Sequence, residues 1–146
     1  MTDLRELYQE VIFDHYRKPR NFCHMAHANC QAEGFNPLCG DKVTVFLRVE
    51  NGIIQDASFE GTGCAISTAS ASLMTESLKG KGKDEALKIL GDFQSMVTGH
   101  TPEHELGKLK ALAGVQEFPQ RVKCATLPWH TLLAALDNLK EPATTE

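Results

Sequence analysis

The sequence predicts an α+β fold in which several helices pack on one face of a small antiparallel sheet of about three strands. Two observations predict it. In the first half of the chain, alternating apolar residues flank an Asn-Gly pair, whereas the second half carries apolar residues at helical spacing. Because the strands precede most of the helices, a segregated arrangement is favoured over a parallel sheet with alternating helices.

A first helix is predicted over about residues 4–17, where apolar residues recur at helical spacing between a capping Asp3 and Pro19. The stretch that follows, residues 21–37, is mixed and polar. An extended segment is expected there only around residues 31–35.

A β-hairpin is predicted next. Its two strands are joined by Asn51-Gly52, a pair that readily adopts the two positive φ angles of a type I′ turn. Apolar residues alternate with other residues on both sides of the turn: Val43, Val45, Leu47, Val49, Ile53, Ala57 and Phe59.

Four helical patterns follow, over about residues 65–79, 83–97, 105–114 and 125–139. The first is rich in small residues, which would let it approach the sheet closely, and its serines are expected to be interface residues: Ser67, Ser70 and Ser72. Pro128 is expected in the first turn of the last helix, where its missing N–H costs little.

Composition indicates one domain, expected over residues 1–140, because a chain of 146 residues buries roughly 70% of its unfolded surface around a single core. Residues 141–146 are expected to form a disordered tail. The content of 42% hydrophobic and 23% charged residues is typical of a globular protein. A net charge of −4 argues against nucleic acid or an anionic membrane as the main partner, since both require a basic patch.

The start of the chain lacks the basic and apolar regions of a secretory signal, and no run approaches about 18 consecutive apolar residues. We therefore expect a cytoplasmic protein. In that compartment cysteines are usually thiols, metal ligands or reactive groups rather than disulfides. The chain has five of them: Cys23, Cys30, Cys39, Cys64 and Cys124.

Cys39-Gly40-Asp41 is the centre of the predicted site. In an extended chain residues i and i+2 face the same side, so the thiolate of Cys39 and the carboxylate of Asp41 can reach one point. Gly40 keeps the backbone between them free of a side chain.

Two further cysteines are expected at helix starts, where the positive end of the helix dipole favours a thiolate. Cys64 stands between the hairpin and a helix, and Cys124 is expected to begin the last helix. Arg121 and Lys123 add positive charge that would stabilise the Cys124 thiolate.

Three thiolates and one carboxylate form a tetrahedral set that suits Zn²⁺, and thiolates also suit iron–sulfur chemistry. The spacing alone leaves open a second interpretation, in which the three cysteines are separate small buried hydrophobic residues.

Four more potential ligands lie within eight residues: Cys23, His24, His27 and Cys30. We expect them to lie on a surface or half-buried segment that does not form a functional metal site, and their role stays open. Three other histidines are expected at the surface or at helix caps: His100, His104 and His130.

The three cysteines lie in motifs that follow one another along the chain: Asn36-Pro37-Leu38-Cys39-Gly40-Asp41, Gly61-Thr62-Gly63-Cys64-Ala65-Ile66-Ser67 and Arg121-Val122-Lys123-Cys124-Ala125-Thr126-Leu127. Together with residues 14–21 they resemble the motifs of the IscU/NifU-N family of iron–sulfur cluster assembly proteins. The resemblance covers nearly the whole chain. It implies a SufE/IscU-like fold and a metal site made of Cys39, Asp41, Cys64 and Cys124.

Within that family the sequence resembles the SufU branch. Cys64 and Cys124 lie 60 residues apart, which leaves room for a helical insertion, and Lys123 stands where the scaffold members carry a histidine. The branch implies a zinc-bound protein that accepts sulfur from a pyridoxal-phosphate cysteine desulfurase and serves downstream cluster-assembly proteins. We expect Cys39 to be the acceptor, with Cys124 as its competitor and Cys64 as the least accessible of the three.

Two other functions remain compatible with the sequence. One is a scaffold on which a [2Fe–2S] cluster is assembled and delivered, and the other is a structural zinc module that only mediates contacts. The structural zinc module is the one function that predicts no persulfide on any cysteine. Retention of zinc during incubation with iron and sulfide separates sulfur transfer from the scaffold.

Overall fold

The computed structural model describes residues 4–37, 40–104, 106–137 and 143–144. Its elements, in chain order, are α1 (Leu4–Arg17), β1 (Cys30–Asn36), β2 (Asp41–Glu50), β3 (Ile53–Thr62), α2 (Ala65–Leu78), α3 (Lys83–Val97), a 3-10 helix (Gly107–Glu117), α4 (Pro119–Leu136) and β4 (Ala143–Thr144). The predicted α+β class is confirmed. None of the helices in these ranges combines the length and the apolar character needed to span a bilayer.

The sheet has the strand order β3-β2-β1-β4, with antiparallel pairing from β1 through β3. The predicted hairpin is present, and both turn residues have positive φ, 53° at Asn51 and 77° at Gly52. The extended segment around residues 31–35 is also present as β1. In the β1–β2 register Asn36 pairs with Asp41, so β1 ends opposite the point where β2 begins.

The chain's C-terminal residues add to the other edge of the sheet. Gly34 and Phe35 of β1 pair in parallel with Ala143 and Thr144. A disordered tail is expected over 141–146, and these two residues differ from that expectation because the edge of β1 offers unpaired backbone groups. The other residues of the tail lie outside the described ranges.

The core lies between one face of the sheet and the helices. Alternation along β2 buries Val43, Val45 and Leu47, and α4 packs against this strand while α2 packs against β3. Helix α4 lies so close to β1 that a Cβ on Gly34 would come within 2.0 Å of Thr131 Oγ1, which explains the glycine in this strand. Close packing of α4 fixes the position of its cysteine relative to the sheet.

The helical half differs from the expectation at two places. The pattern over 105–114 forms a 3-10 helix instead of an α-helix. Helix α4 begins at Pro119, six residues before the expected start, because this proline takes the first helical position that suits its fixed φ. Pro128 therefore lies in the interior of α4, not in its first turn.

Candidate metal centre

Three elements bring one potential ligand each to a common point. Asp41 is the first residue of β2, Cys64 precedes α2, and Cys124 lies in the second turn of α4. One ligand atom from each residue lies within 4.8 Å of the other two. Cys39, the fourth predicted ligand, lies outside the described residues.

Cys64 is the N-cap residue of α2. Its backbone is extended (φ −72°, ψ 171°), and its Sγ accepts a hydrogen bond from the N–H of Ser67 at 3.4 Å. The thiol thus takes the place of the hydroxyl or carboxylate that usually caps a helix. The N–H groups at a helix N-terminus generally attract negatively charged groups, and Cys64 lies at such a position.

Asp41 is 1% exposed, and its two oxygens have different environments. Oδ1 accepts a hydrogen bond from the backbone N–H of Cys64 at 2.9 Å. Oδ2 lies 3.8 Å from Cys64 Sγ. One oxygen is therefore held by the protein, and the other faces the thiol.

Cys124 is fully buried, and its position corrects two expectations. Since α4 begins at Pro119, Cys124 is its sixth residue and does not stand at the helix start, so the helix end contributes less to its charge. Cys64 is only half-buried, so Cys124 is the less accessible of these two thiols. The reason is the close packing of α4, whereas the N-cap of α2 is open to solvent.

Arg121 lies one helical turn before Cys124 on the same face of α4. Its guanidinium hydrogen-bonds to both thiols, and the negative charge of Cys64, followed by that of Cys124, raises the pKa of Arg121 above its ordinary value. Lys123 is rotated by about 100° from Cys124 around the helix axis and does not share this face. The predicted cationic contact is therefore made by Arg121.

The donor set fits a zinc ion. Around tetrahedral zinc, with Zn–S near 2.3 Å and Zn–O near 2.0 Å, a sulfur and an oxygen ligand lie about 3.5 Å apart. Asp41 Oδ2 and Cys64 Sγ are 3.8 Å apart, slightly more than that value, and one ligand atom from each of the three residues lies within 4.8 Å of the other two. Small side-chain movements would bring the three ligand atoms within bonding distance of one zinc ion.

The two histidines of the segment from Cys23 to Cys30 each lie beside a carboxylate. His24 lies 3.4 Å from Glu60, and His27 lies 3.9 Å from Asp56, so each imidazole faces a carboxylate of β3. Within the described ranges, Asp41, Cys64 and Cys124 form the one group of three or more potential ligands. None of the four described cysteines takes part in a disulfide bond.

Two residues at the site were missed by sequence reasoning. Ser67 was assigned only to packing, yet its N–H contacts the Cys64 thiol. Gly63 lies against the Asp41 carboxylate: a Cβ there would be 2.9 Å from Oδ1. The spacing of Ser67 three residues after Cys64 is an N-cap signal that reveals the first contact, but no local signal reveals the second.

An open groove of about 600 Å³ adjoins the site. Its apolar wall comes from α1, α2 and the 3-10 helix, and its lining includes Ile66 and Arg121, which lie two and three residues from Cys64 and Cys124 along the chain. Phe118, 58% exposed, lies at its edge.

Comparison with known proteins identifies the family. Residues 7–125 match the NifU-like N terminal domain. The chain belongs to the NifU-N family. The family prediction made from the three cysteine motifs is therefore confirmed.

Curated relatives align along most of their length. A protein of Bacillus subtilis named zinc-dependent sulfurtransferase SufU is 42% identical over 90% of both chains. A protein of Streptococcus pyogenes serotype M1 named iron–sulfur cluster assembly scaffold protein IscU is 40% identical over 93% of this chain and 86% of its own.

A solved structure from Fervidobacterium islandicum AW-1 has the same fold. It is described as an iron–sulfur cluster assembly scaffold protein for the SUF system, and it is 38% identical with a TM-score of 0.84. The comparison covers 90% of this chain and 98% of that one. The α3 and 3-10 segments between Cys64 and Cys124 are thus part of a fold found in an experimental structure.

Proposed function

We propose that this protein takes part in iron–sulfur cluster biogenesis as a zinc-dependent sulfur acceptor that works with a pyridoxal-phosphate cysteine desulfurase. The observation that carries the proposal is the convergence of Asp41, Cys64 and Cys124, with a further cysteine two residues before Asp41. The relative from Bacillus subtilis, which is named a zinc-dependent sulfurtransferase, supports the same function.

Cys39 completes the proposed ligand set. Two residues of chain span at most about 7 Å, so the backbone of Cys39 cannot lie far from that of Asp41. With Cys39 added, the site holds three thiolates and one carboxylate, which is a complete tetrahedral set for Zn²⁺. Bound zinc would keep the thiolates deprotonated and in place.

The transfer step needs no further reagent. A cysteine thiolate of this chain attacks the outer sulfur of the desulfurase persulfide, and a new S–S bond forms as the donor's S–S bond breaks. The donor leaves as a thiolate, and the outer sulfur keeps its proton. The acceptor cysteine then carries the persulfide, and no net oxidation or reduction occurs.

Accessibility favours Cys39 as the acceptor. Cys124, the competing candidate, lies on the buried face of α4, so a donor persulfide cannot reach it without local opening. Cys39 belongs to the connection between β1 and β2, and connecting segments generally lie at protein surfaces.

A scaffold for [2Fe–2S] assembly is the second candidate, because thiolates also hold such clusters and the relative from Streptococcus pyogenes carries that name. Anaerobic purification followed by metal analysis separates the two. One zinc per chain, kept during incubation with iron and sulfide, supports sulfur transfer. A stable coloured cluster that displaces zinc supports the scaffold.

Persulfide mapping tests the acceptor. The zinc-loaded protein is incubated with a cysteine desulfurase and cysteine, alkylated, digested and analysed by mass spectrometry. We expect one extra sulfur on the Cys39 peptide and none in the Cys39→Ser variant. Label on Cys124 in both proteins would move the acceptor role to Cys124, and an unlabelled wild type would leave only the structural zinc module.

A further inference from the structure

Gly63 lies where the backbone passes directly against the ligand carboxylate. A Cβ built on this residue would lie 2.9 Å from Asp41 Oδ1, 3.4 Å from Asp41 Cγ and 3.3 Å from Ser67 Oγ. Its φ is outside the left-handed region, so the backbone conformation does not itself require glycine. The glycine is needed for space.

The carboxylate has little freedom to avoid such a Cβ. Asp41 is 1% exposed, and its Oδ1 is held by the N–H of Cys64 at 2.9 Å. Rotation of the carboxylate away from residue 63 would break that hydrogen bond. It would also turn Oδ2 away from Cys64 Sγ, which now lies at 3.8 Å.

From this geometry we propose that Gly63 is a positioning residue for the metal centre, which lets the Cys64 amide hold one oxygen of Asp41 and present the other, alone, to the metal. The inference rests on the proposed zinc function and adds a residue outside the ligand set. It also predicts a one-oxygen mode of binding, which suits four-coordinate zinc better than ions that take two oxygens from one carboxylate.

Zinc affinity, measured by competition with a chromophoric chelator, tests the proposal in a double-mutant cycle. Gly63→Ala should weaken zinc binding about 10- to 100-fold, the usual cost of disturbing an outer contact of a metal ligand. Gly91→Ala is the matched control, because a Cβ at Gly91 meets nothing within 4 Å. It should bind zinc as the wild type does.

The decisive arm combines Gly63→Ala with Asp41→Ala. If Gly63 acts through the carboxylate, the double variant should bind zinc within about twofold of Asp41→Ala alone. If the two losses multiply, Gly63 acts on something else and the proposal is wrong. Should Gly63→Ala fail to fold, the double variant should recover the circular dichroism spectrum of Asp41→Ala, since the clashing group is gone; failure to recover also overturns the proposal.

A spectroscopic measurement separates positioning from a general structural effect. Cobalt bound to the wild type should give the strong ligand-field bands of a four-coordinate site, and Gly63→Ala should weaken them as Asp41→Ala does. An unchanged cobalt spectrum and zinc affinity in Gly63→Ala would refute the inference while leaving the proposed function intact. Wild-type zinc affinity in Asp41→Ala would refute both.

Discussion

Two regions of this protein hold cysteines among other potential ligands, and within the described part of the chain one of them brings three such residues together. Residues 23–30 contain two cysteines and two histidines, yet each histidine faces a carboxylate of β3 instead of a shared point. Asp41, Cys64 and Cys124 are separated by up to 83 residues and still lie within 4.8 Å of one another. Proximity along the chain therefore does not predict convergence.

The physical difference lies in what holds each residue. The ligands of the metal centre are carried by a strand end, a helix cap and a packed helix, and all three elements contribute to one core. Cys23, His24 and His27 lie in the connection before β1, where Cys23 is exposed, and Cys30 is the first residue of that strand. Rigid elements fix distances between side chains, whereas a surface connection leaves each side chain to its nearest partner.

Zinc removal gives the largest expected effect. If free zinc exceeds its dissociation constant about 1,000-fold, binding adds about 4 kcal/mol to stability. At about 2–4 °C per kcal/mol, the melting temperature should fall by about 8–16 °C after chelation. A calorimetric scan of zinc-loaded and zinc-free protein measures this, and the Cys23→Ser/Cys30→Ser variant should show the same difference. An equal melting temperature with and without verified zinc would contradict the ligand assignment.

Loss of one carboxylate comes next. Asp41→Ala should retain a metal on the thiolates but lower the stimulation of desulfurase turnover about tenfold or more, because the fourth position is open or held by water. Glu60→Gln is the control, since it removes a carboxylate that faces His24 outside the centre. Stimulation is measured by alanine release from cysteine. Equal stimulation by Asp41→Ala and wild type would remove the carboxylate from the working site.

Local sequence signals were sufficient for most of the fold. The hairpin has period-two alternation and an Asn-Gly turn, and α1 has a helical period ended by Pro19, so both were predicted close to their observed bounds. The start of α4 was not, because Phe118-Pro119 has no apolar periodicity before it. That error moved Cys124 from the second helical turn to the helix start.

Local sequence patterns predict the contacts of the metal centre only in part. Cys64 was correctly predicted before a helix because the Gly-Thr-Gly run breaks the strand pattern. The contact of Gly63 with Asp41 joins residues 22 positions apart through β2–β3 pairing, and no local pattern contains it. The burial of Cys124 likewise depends on how closely α4 packs on β1, which is set by Gly34 in a distant strand.

The two cations near Cys124 allow a finer test within the metal centre. Arg121 hydrogen-bonds to both thiols, whereas Lys123 lies on another face of α4. In zinc-free protein, Arg121→Gln should slow alkylation of Cys64 about two- to fivefold, the range expected for an exposed charge pair. Lys123→Gln should change the rate less. Rates are followed by mass spectrometry of the Cys64 peptide, and an equal effect of both variants would show a general charge effect instead.

The smallest expected effect concerns the contact of α1 with α2, away from both cysteine regions. His15 is buried; its Nδ1 lies 2.6 Å from Ser72 Oγ, and its Nε2 lies 3.5 Å from Glu76. The same Ser72 oxygen accepts the N–H of Arg20 at 2.8 Å. Burial, followed by the charge of Arg20, lowers the pKa of His15 below 6.5, although Glu76 and Asp14 oppose the shift and Lys108 adds to it.

A histidine whose folded pKa is lowered binds its proton more readily in the unfolded chain, so its contribution is complete above pH 6.5 and is lost as the pH falls toward the folded pKa. His130, whose pKa is also lowered by burial, should contribute in the same direction. We expect the stability advantage of wild type over His15→Gln, measured in urea with excess zinc, to shrink steadily below pH 6.5. Zinc binding adds the same pH dependence to the stability of both proteins, so it cancels in the difference. In this pH range the stability of the His15→Gln/His130→Gln variant should depend less on pH than that of either single variant. A pH-independent difference between wild type and His15→Gln would contradict the prediction, because it would mean that His15 keeps one protonation state on unfolding.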